Sequence, residues 1–147
     1  MAGLNVNVIS GSVNTGTSVK TVLQYRAHAN AGARVKKVRW DPNGITPTDP
    51  KVLVELVKGS TAATGSGSSS ASVLKVDGHT GSVLGSATKD YGGGNPTGGT
   101  VIYSSLCHKQ NFFTYDREIV LNPAESLEIR VTSGTDIASY ASMLVEE

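Results

Sequence analysis

The sequence predicts an all-β domain, an antiparallel β-sandwich or barrel of roughly eight to ten short strands. Three observations predict it. Apolar and polar residues alternate with period two along most of the chain, which is the signature of half-buried strands. Turn signals rich in Gly, Pro, Asn and Ser recur every 8–12 residues or so, and no window offers an amphipathic helix of ten residues. Small residues dominate: the 147 positions include 17 Gly, 17 Ser and 14 Thr, while charged residues are only 17%. Such a mixture suits short strands joined by turn-rich loops.

The elements follow in order. Residues 4–9 alternate from Leu4 to Ile9. Residues 18–27 place Val19, Thr21, Leu23 and Tyr25 on one face and Lys20, Val22, Gln24 and Arg26 on the other. Residues 34–40 put Val38 with Trp40 and set Lys37 and Arg39 opposite, with Lys36 on the Val38 side. Asp41, Pro42, Asn43 and Gly44 are expected to break this strand, and Pro47 and Pro50 to keep the chain irregular. Residues 51–57 are apolar on both sides except at Glu55, as in a central strand covered on both faces. The Gly/Ser segment 59–71 reads as a flexible or exposed loop. Short strands are expected around 73–76 and 82–88, then a second glycine-dense loop at 90–99, then strands at 100–108, 110–115 and 117–121. Two alternating runs close the chain. Leu127, Ile129 and Val131 share a face opposite Glu128 and Arg130. Ile137, Ser139, Ala141, Met143 and Val145 form the second run. Between them, Ser133, Gly134 and Thr135 read as a hairpin turn with Gly134 at positive φ. Glu146 and Glu147 are expected to form a free end.

Length and composition bound the classes. One domain spanning residues 1–147 is expected, large enough to bury a core without staples. The single Cys107 excludes an internal disulfide or a multi-cysteine metal site. There is no apolar N-terminal leader and no run of about 18 apolar residues, so neither a signal peptide nor a membrane helix is expected. Residues 1–40 hold six bases (Lys20, Arg26, Arg34, Lys36, Lys37, Arg39) and no acid. The remainder holds seven bases and twelve acids, so +6 and −5 give the net +1. Three readings are open: strand-edge cations that discourage edge pairing, a basic docking face for an acidic partner, or a nucleic-acid surface. Nucleic acid is the poorest fit, because only Tyr25 and Trp40 interleave with these bases.

The search for catalytic chemistry returns little. His28, His79 and His108 form no HxH or HxxxH pair. Cys107 and His108 are neighbours on a strand and so point to opposite faces; a buried thiol beside an exposed imidazole is expected. Asp116 and Glu118 flank Arg117 and read as a local charge pair. No phosphate-cradling glycine motif precedes a helix. Neither an enzyme nor a cofactor is expected. Trp40 reads as core, and Tyr91, in the glycine loop, as the exposed aromatic on which a sugar could stack.

The segment 33–41 (ARVKKVRWD), the run 52–57 (VLVELV), the stretch 117–131 (REIVLNPAESLEIRV) and the final strand 140–147 together resemble small jelly-roll proteins that decorate, or cement, the capsids of tailed phages. The resemblance covers most of the chain from about Ser18. It implies a jelly-roll sandwich, a homotrimer at local threefold positions, the major capsid protein as partner, no nucleic acid and no membrane. It also implies residence on the capsid exterior after synthesis in the host cytoplasm. Residues 1–16 would be an N-terminal arm or an edge strand, and Arg34, Lys36, Lys37 and Arg39 the partner interface. A carbohydrate- or receptor-binding jelly roll of a phage fibre is the alternative. A cupin-type enzyme is poorly served by three dispersed histidines.

Overall fold

Val6 and Val8, two positions apart, start β1 (Asn5–Asn14), and eleven further strands follow among the described residues. They are β2 (Val19–Arg26), β3 (Ala33–Asn43), β4 (Val52–Gly59), β5 (Ser69–Ser70), β6 (Ser72–Lys75), β7 (Ser86–Lys89) and β8 (Thr100–Cys107). The last four are β9 (Phe113–Tyr115), β10 (Ile119–Leu121), β11 (Ser126–Thr132) and β12 (Ala138–Glu146). The computed structural model describes residues 3–43, 51–59, 65–76, 78, 80–107 and 112–147, and these contain no helix. The expected turn at Gly44 and the irregular stretch around Pro47 and Pro50 lie outside them, as do residues 60–64, His79 and His108.

Two sheets of six strands pack face to face, and every pairing is antiparallel. Sheet I runs β10-β3-β12-β1-β6, with β9 beside β10 on the same edge of β3; sheet II runs β5-β7-β2-β11-β4-β8. The chain is therefore an all-β sandwich. Four of its pairings are nested: β1 with β12, β2 with β11, β3 with β10 and β4 with β8. A long antiparallel ribbon folded at the chain's middle makes those four pairs. Rolling the ribbon adds the contacts β3·β12 and β4·β11. Between the sheets lie Val6, Val8, Leu23, Tyr25, Val38, Trp40, Leu56, Leu127, Ile129 and Met143, all fully buried. Each such aliphatic side chain is worth about 1.5–3 kcal/mol of burial.

Four sequence expectations change here. First, residues 5–14 are not an arm: β1 pairs with β12 along its length, β6 covers its other side from Val6 to Ile9, and Val6 and Val8 are core. Second, the closing hairpin does not exist as a pair. β11 belongs to sheet II and β12 to sheet I, so residues 133–137 form a corner that crosses between sheets. The corner is held by side chains rather than by a glycine conformation. Ser133 Oγ donates to Thr135 O at 2.6 Å, and Asp136 Oδ1 accepts from Gly16 N at 2.8 Å. Gly134 is not among the residues with positive φ. Third, β3 does not stop at Asp41 but continues through Pro42, which sits opposite Ser139. Pro42 is confined to the end of its strand, where ladder donors are few. Fourth, Lys36 and Thr21 change face. Period two is exact only in an unbroken ladder, and β-bulges at Val22 and Lys36 reset the parity.

The bulge in β1 shows how the fold tolerates such defects. Gly11, at φ 67°, occupies the left-handed position that a glycine bulge requires. Ser10 then fills the gap in the ladder, its Oγ accepting from Ala141 N at 2.9 Å.

Candidate functional site

The outward face of sheet I gathers the four cations singled out from sequence. Because Lys36 is the extra residue of the bulge opposite Leu144 and Val145, Arg34, Lys36, Lys37 and Arg39 all lie off the core. Strict alternation would have sent Lys36 inward. The structure thus brings the predicted residues together more closely than the sequence suggested.

It also pairs every one of them. Lys36 Nζ reaches Glu118 at 2.6 Å and Glu146 at 2.9 Å; Arg34 lies 3.9 Å from Glu118. Lys37 is 3.7 Å from Asp116, and Arg39 Nε donates to Asp41 at 2.7 Å. The Arg39 guanidinium also stacks on Phe112, 4.4 Å from the ring centroid. Hydrogen bonding to Glu118, then to Glu146, raises the Lys36 pKa, and the same ammonium lowers both carboxyls. Four cations face four anions. The excess positive charge of the first forty residues is matched here by acids from residues 41–147, and Lys20 pairs likewise with Asp90.

The outward face of sheet II is closed by the second glycine loop. Residues 91–99 lie across β2, β11 and β4 as a strap. Asn95 fastens it: Oδ1 accepts from Thr21 N at 2.6 Å and Nδ2 donates to Val19 O at 3.0 Å. Tyr91 N donates to Thr21 O, and Arg130 donates to Pro96 O at 3.1 Å. Gly99 lies so near β4 that an added Cβ would stand 2.6 Å from Val57 Cγ1. Under the strap Glu128 is wholly buried. Thr21 Oγ1 donates to its Oε1 at 3.3 Å and Arg130 approaches its Oε2 at 3.4 Å. Burial outweighs these partners and pushes the carboxyl up to about 7.

No protein-family model matches this chain, and neither the curated proteins nor the solved structures yield a match. The function must be argued from the surfaces themselves.

The remaining sequence candidates sort clearly. Trp40 is core, fully buried, with its Nε1 lacking a hydrogen-bond partner. Tyr91 is not an exposed platform: it is 6% exposed, and its hydroxyl donates to Gln24 Oε1 at 2.6 Å. Cys107 is buried and burial raises its thiol to about 11, so it is not poised as a nucleophile. Asp116 and Glu118 serve β3, not a local pair with Arg117. Nor are the last two residues free. Glu146 holds Lys36, and the Glu147 carboxylate accepts from Tyr25 Oη, Leu84 N and Gly85 N at 2.7–2.8 Å. No signal in the sequence marks Glu147 as a clamp, because its partners lie 62, 63 and 122 residues away.

Sequence reasoning also passed over the apolar surface of the sandwich's flank. Among the described residues β8 is the outermost strand of sheet II, and its only paired neighbour is β4. Val101, Ile102, Tyr103 and Leu106 on it are 42–59% exposed. Tyr103 packs on Tyr115 of β9 (centroids 4.8 Å apart), and Phe112 stands 53% exposed beside it. Tyr103, Leu106 and Phe112 border a shallow groove with Ser105, Cys107 and Thr114.

Proposed function

We propose that this protein is a virion structural protein, a jelly-roll decoration protein that binds the outside of an assembled phage capsid as a trimer and stabilises it. The nested strand pairing carries the reading. An antiparallel ribbon rolled so that β1·β12 and β2·β11 fall at the centres of opposite sheets supports a jelly-roll reading of the sandwich. The neutralised outer face of sheet I and the strapped outer face of sheet II suit a rigid brick that works through its surfaces. A protein that binds the finished lattice better than its free subunits stabilises the lattice by mass action, and a trimer adds several modest contacts.

The test is direct. Purified protein is added to empty capsid shells of tailed phages, and bound protein and shell disruption temperature are followed together. Saturable, stoichiometric binding with a raised disruption temperature is the expected result. Failure to bind any shell, with saturable binding on a glycan array, would replace this reading with that of a carbohydrate-binding fibre module. The exposed rings of Tyr103 and Phe112 beside the groove favour that alternative over any enzyme.

A further inference from the structure

Within the strap, Gly92, Gly93 and Gly94 on one side and Gly98 and Gly99 on the other isolate a short cap of Asn95, Pro96 and Thr97. Gly98 stands at φ 80°, a conformation that other residues rarely adopt. Tyr91, before the first glycine group, is anchored: its ring is buried and its hydroxyl sits on Gln24. Residues 65–67 pair with the outer side of residues 92–94 and are themselves exposed. The cap is held to the sheet by the two hydrogen bonds of Asn95 and by Arg130 on Pro96 O.

Two residues touch both this cap and the buried Glu128. Thr21 gives its backbone N–H to Asn95 Oδ1 and its hydroxyl to Glu128 Oε1. Arg130 is shared through a single atom. Its Nη2 donates to Pro96 O at 3.1 Å and lies 3.4 Å from Glu128 Oε2, while its buried Nε has no partner among the described residues. The cations that act on Glu128 are Arg130 of its own strand and Arg26 of β2. From β4, Val57 stands opposite Glu128 and Glu55 opposite Arg130; from the strap, an added Cβ on Gly99 would stand 3.5 Å from Oε2. A neutral Glu128 makes little demand on Arg130, which then serves Pro96 O. A carboxylate in the same place attracts the guanidinium, and its two long contacts replace lost water poorly.

We infer that residues 95–97 form a lid latched by Arg130, closed while Glu128 is neutral and released as Glu128 gains its charge. Ionisation draws Nη2 from Pro96 O toward the carboxylate, and water reaches that carboxylate when the cap lifts on its flanking glycines. β2, β11 and β4 keep their own ladders, so the lid opens without unfolding the sheet beneath it. Opening uncovers a polar patch of Thr21, Glu128 and Arg130. Capsid binding plays no part in this motion. The carboxyl held at about 7 under the lid returns toward its ordinary 4.5 in water. The open fraction is therefore lowest below pH 4.5, rises across the interval and levels off above about 7. Full hydration on opening gives a rise of about 300-fold and partial hydration less, so about 30- to 300-fold is expected.

Hydrogen exchange at the Thr21 amide reads the lid directly, because Asn95 Oδ1 is its acceptor. Exchange is followed by NMR on the full chain from about pH 4.5 to 8. Each rate is divided by that of an unprotected amide at the same pH, which leaves the open fraction. In wild type this fraction should rise about 30- to 300-fold up to about pH 7 and then stay level. The Ile129 amide, in the ladder between β2 and β4, should exchange more slowly throughout. Glu128→Gln should hold Thr21 at the low-pH wild-type value across the whole range. A flat wild-type profile, one common protection for Thr21 and Ile129, or a variant that keeps the rise would each overturn the lid. The wild-type series needs no substitution, so it decides the matter even if the variant does not fold.

Discussion

Burial of Glu128 beneath the 91–99 strap couples folding to proton uptake. Its carboxyl is raised to about 7 chiefly because the charged form loses water, and Arg130 and Thr21 only partly compensate. An acid raised in the folded state stabilises the fold fully below its unfolded value, and that contribution is lost as pH rises through the folded one. Thermal stability should therefore decline between about pH 4.5 and 7 on this account. Glu128→Gln keeps the side chain's size and an acceptor for Thr21 while removing the titration. The variant should be more stable than wild type at pH 8, by on the order of 1–3 kcal/mol, and match it near pH 4.5. Equal pH profiles for the two proteins in calorimetry would sink this account. At Tyr25 the expected sign is opposite. Tyr25→Phe removes the hydroxyl that donates to Glu147 Oε1 at 2.7 Å, leaving Gly85 N and Leu84 N to hold the carboxylate. A loss of about 1.5–3 kcal/mol in denaturant unfolding is expected for a hydrogen bond to a charged group.

At the scale of elements, the strand pattern was largely legible and the bulges were not. Val38 and Trp40 were placed in the core from alternation alone, and Ile137 to Val145 likewise. Lys36 and Thr21 were misplaced because a single extra residue inverts every face beyond it, and no residue type announces a bulge at Val22 or Lys36. Sheet membership of β11 and β12 was illegible for another reason: a short loop suits a hairpin and a sheet-to-sheet corner equally well. Of the candidate site, the four cations were found but their carboxylates were not, since Glu118 and Glu146 lie about 80 and 110 residues from Lys36 in the chain. Two outcomes follow. Lys36→Met should let Glu118 and Glu146 titrate at higher pH, visible in carboxyl NMR titrations. Stability should change little, as for other exposed ion pairs, which solvent screens. Removal of residues 1–12 should abolish the fold itself, because Val6 and Val8 leave the core with it. A truncated protein that still unfolds cooperatively would mean that β1 is dispensable.

For the whole molecule, nested pairing makes almost every strand contact distant in sequence. β1 cannot meet β12 until Val6 finds Val145, across nearly the full chain. Loop-closure entropy then opposes the nucleus, and refolding should be slow for a chain of this size, in the millisecond-to-second range or beyond. Stopped-flow fluorescence of Trp40, fully buried between the sheets, is the natural probe. A microsecond refolding phase carrying the whole amplitude would contradict this.

The same winding has a mechanical side. Tension applied at the two flanks crosses the sandwich perpendicular to its strands. Sheet I and sheet II lie side by side along that path, so the load divides between two ladders. Within each ladder the long central pairs, β1·β12, β12·β3, β2·β11 and β11·β4, must yield along most of their length at once. A single sheet of the same strands would place the whole load on one ladder. A rolled ribbon shares it, so a pull across the flanks meets both ladders before either gives way.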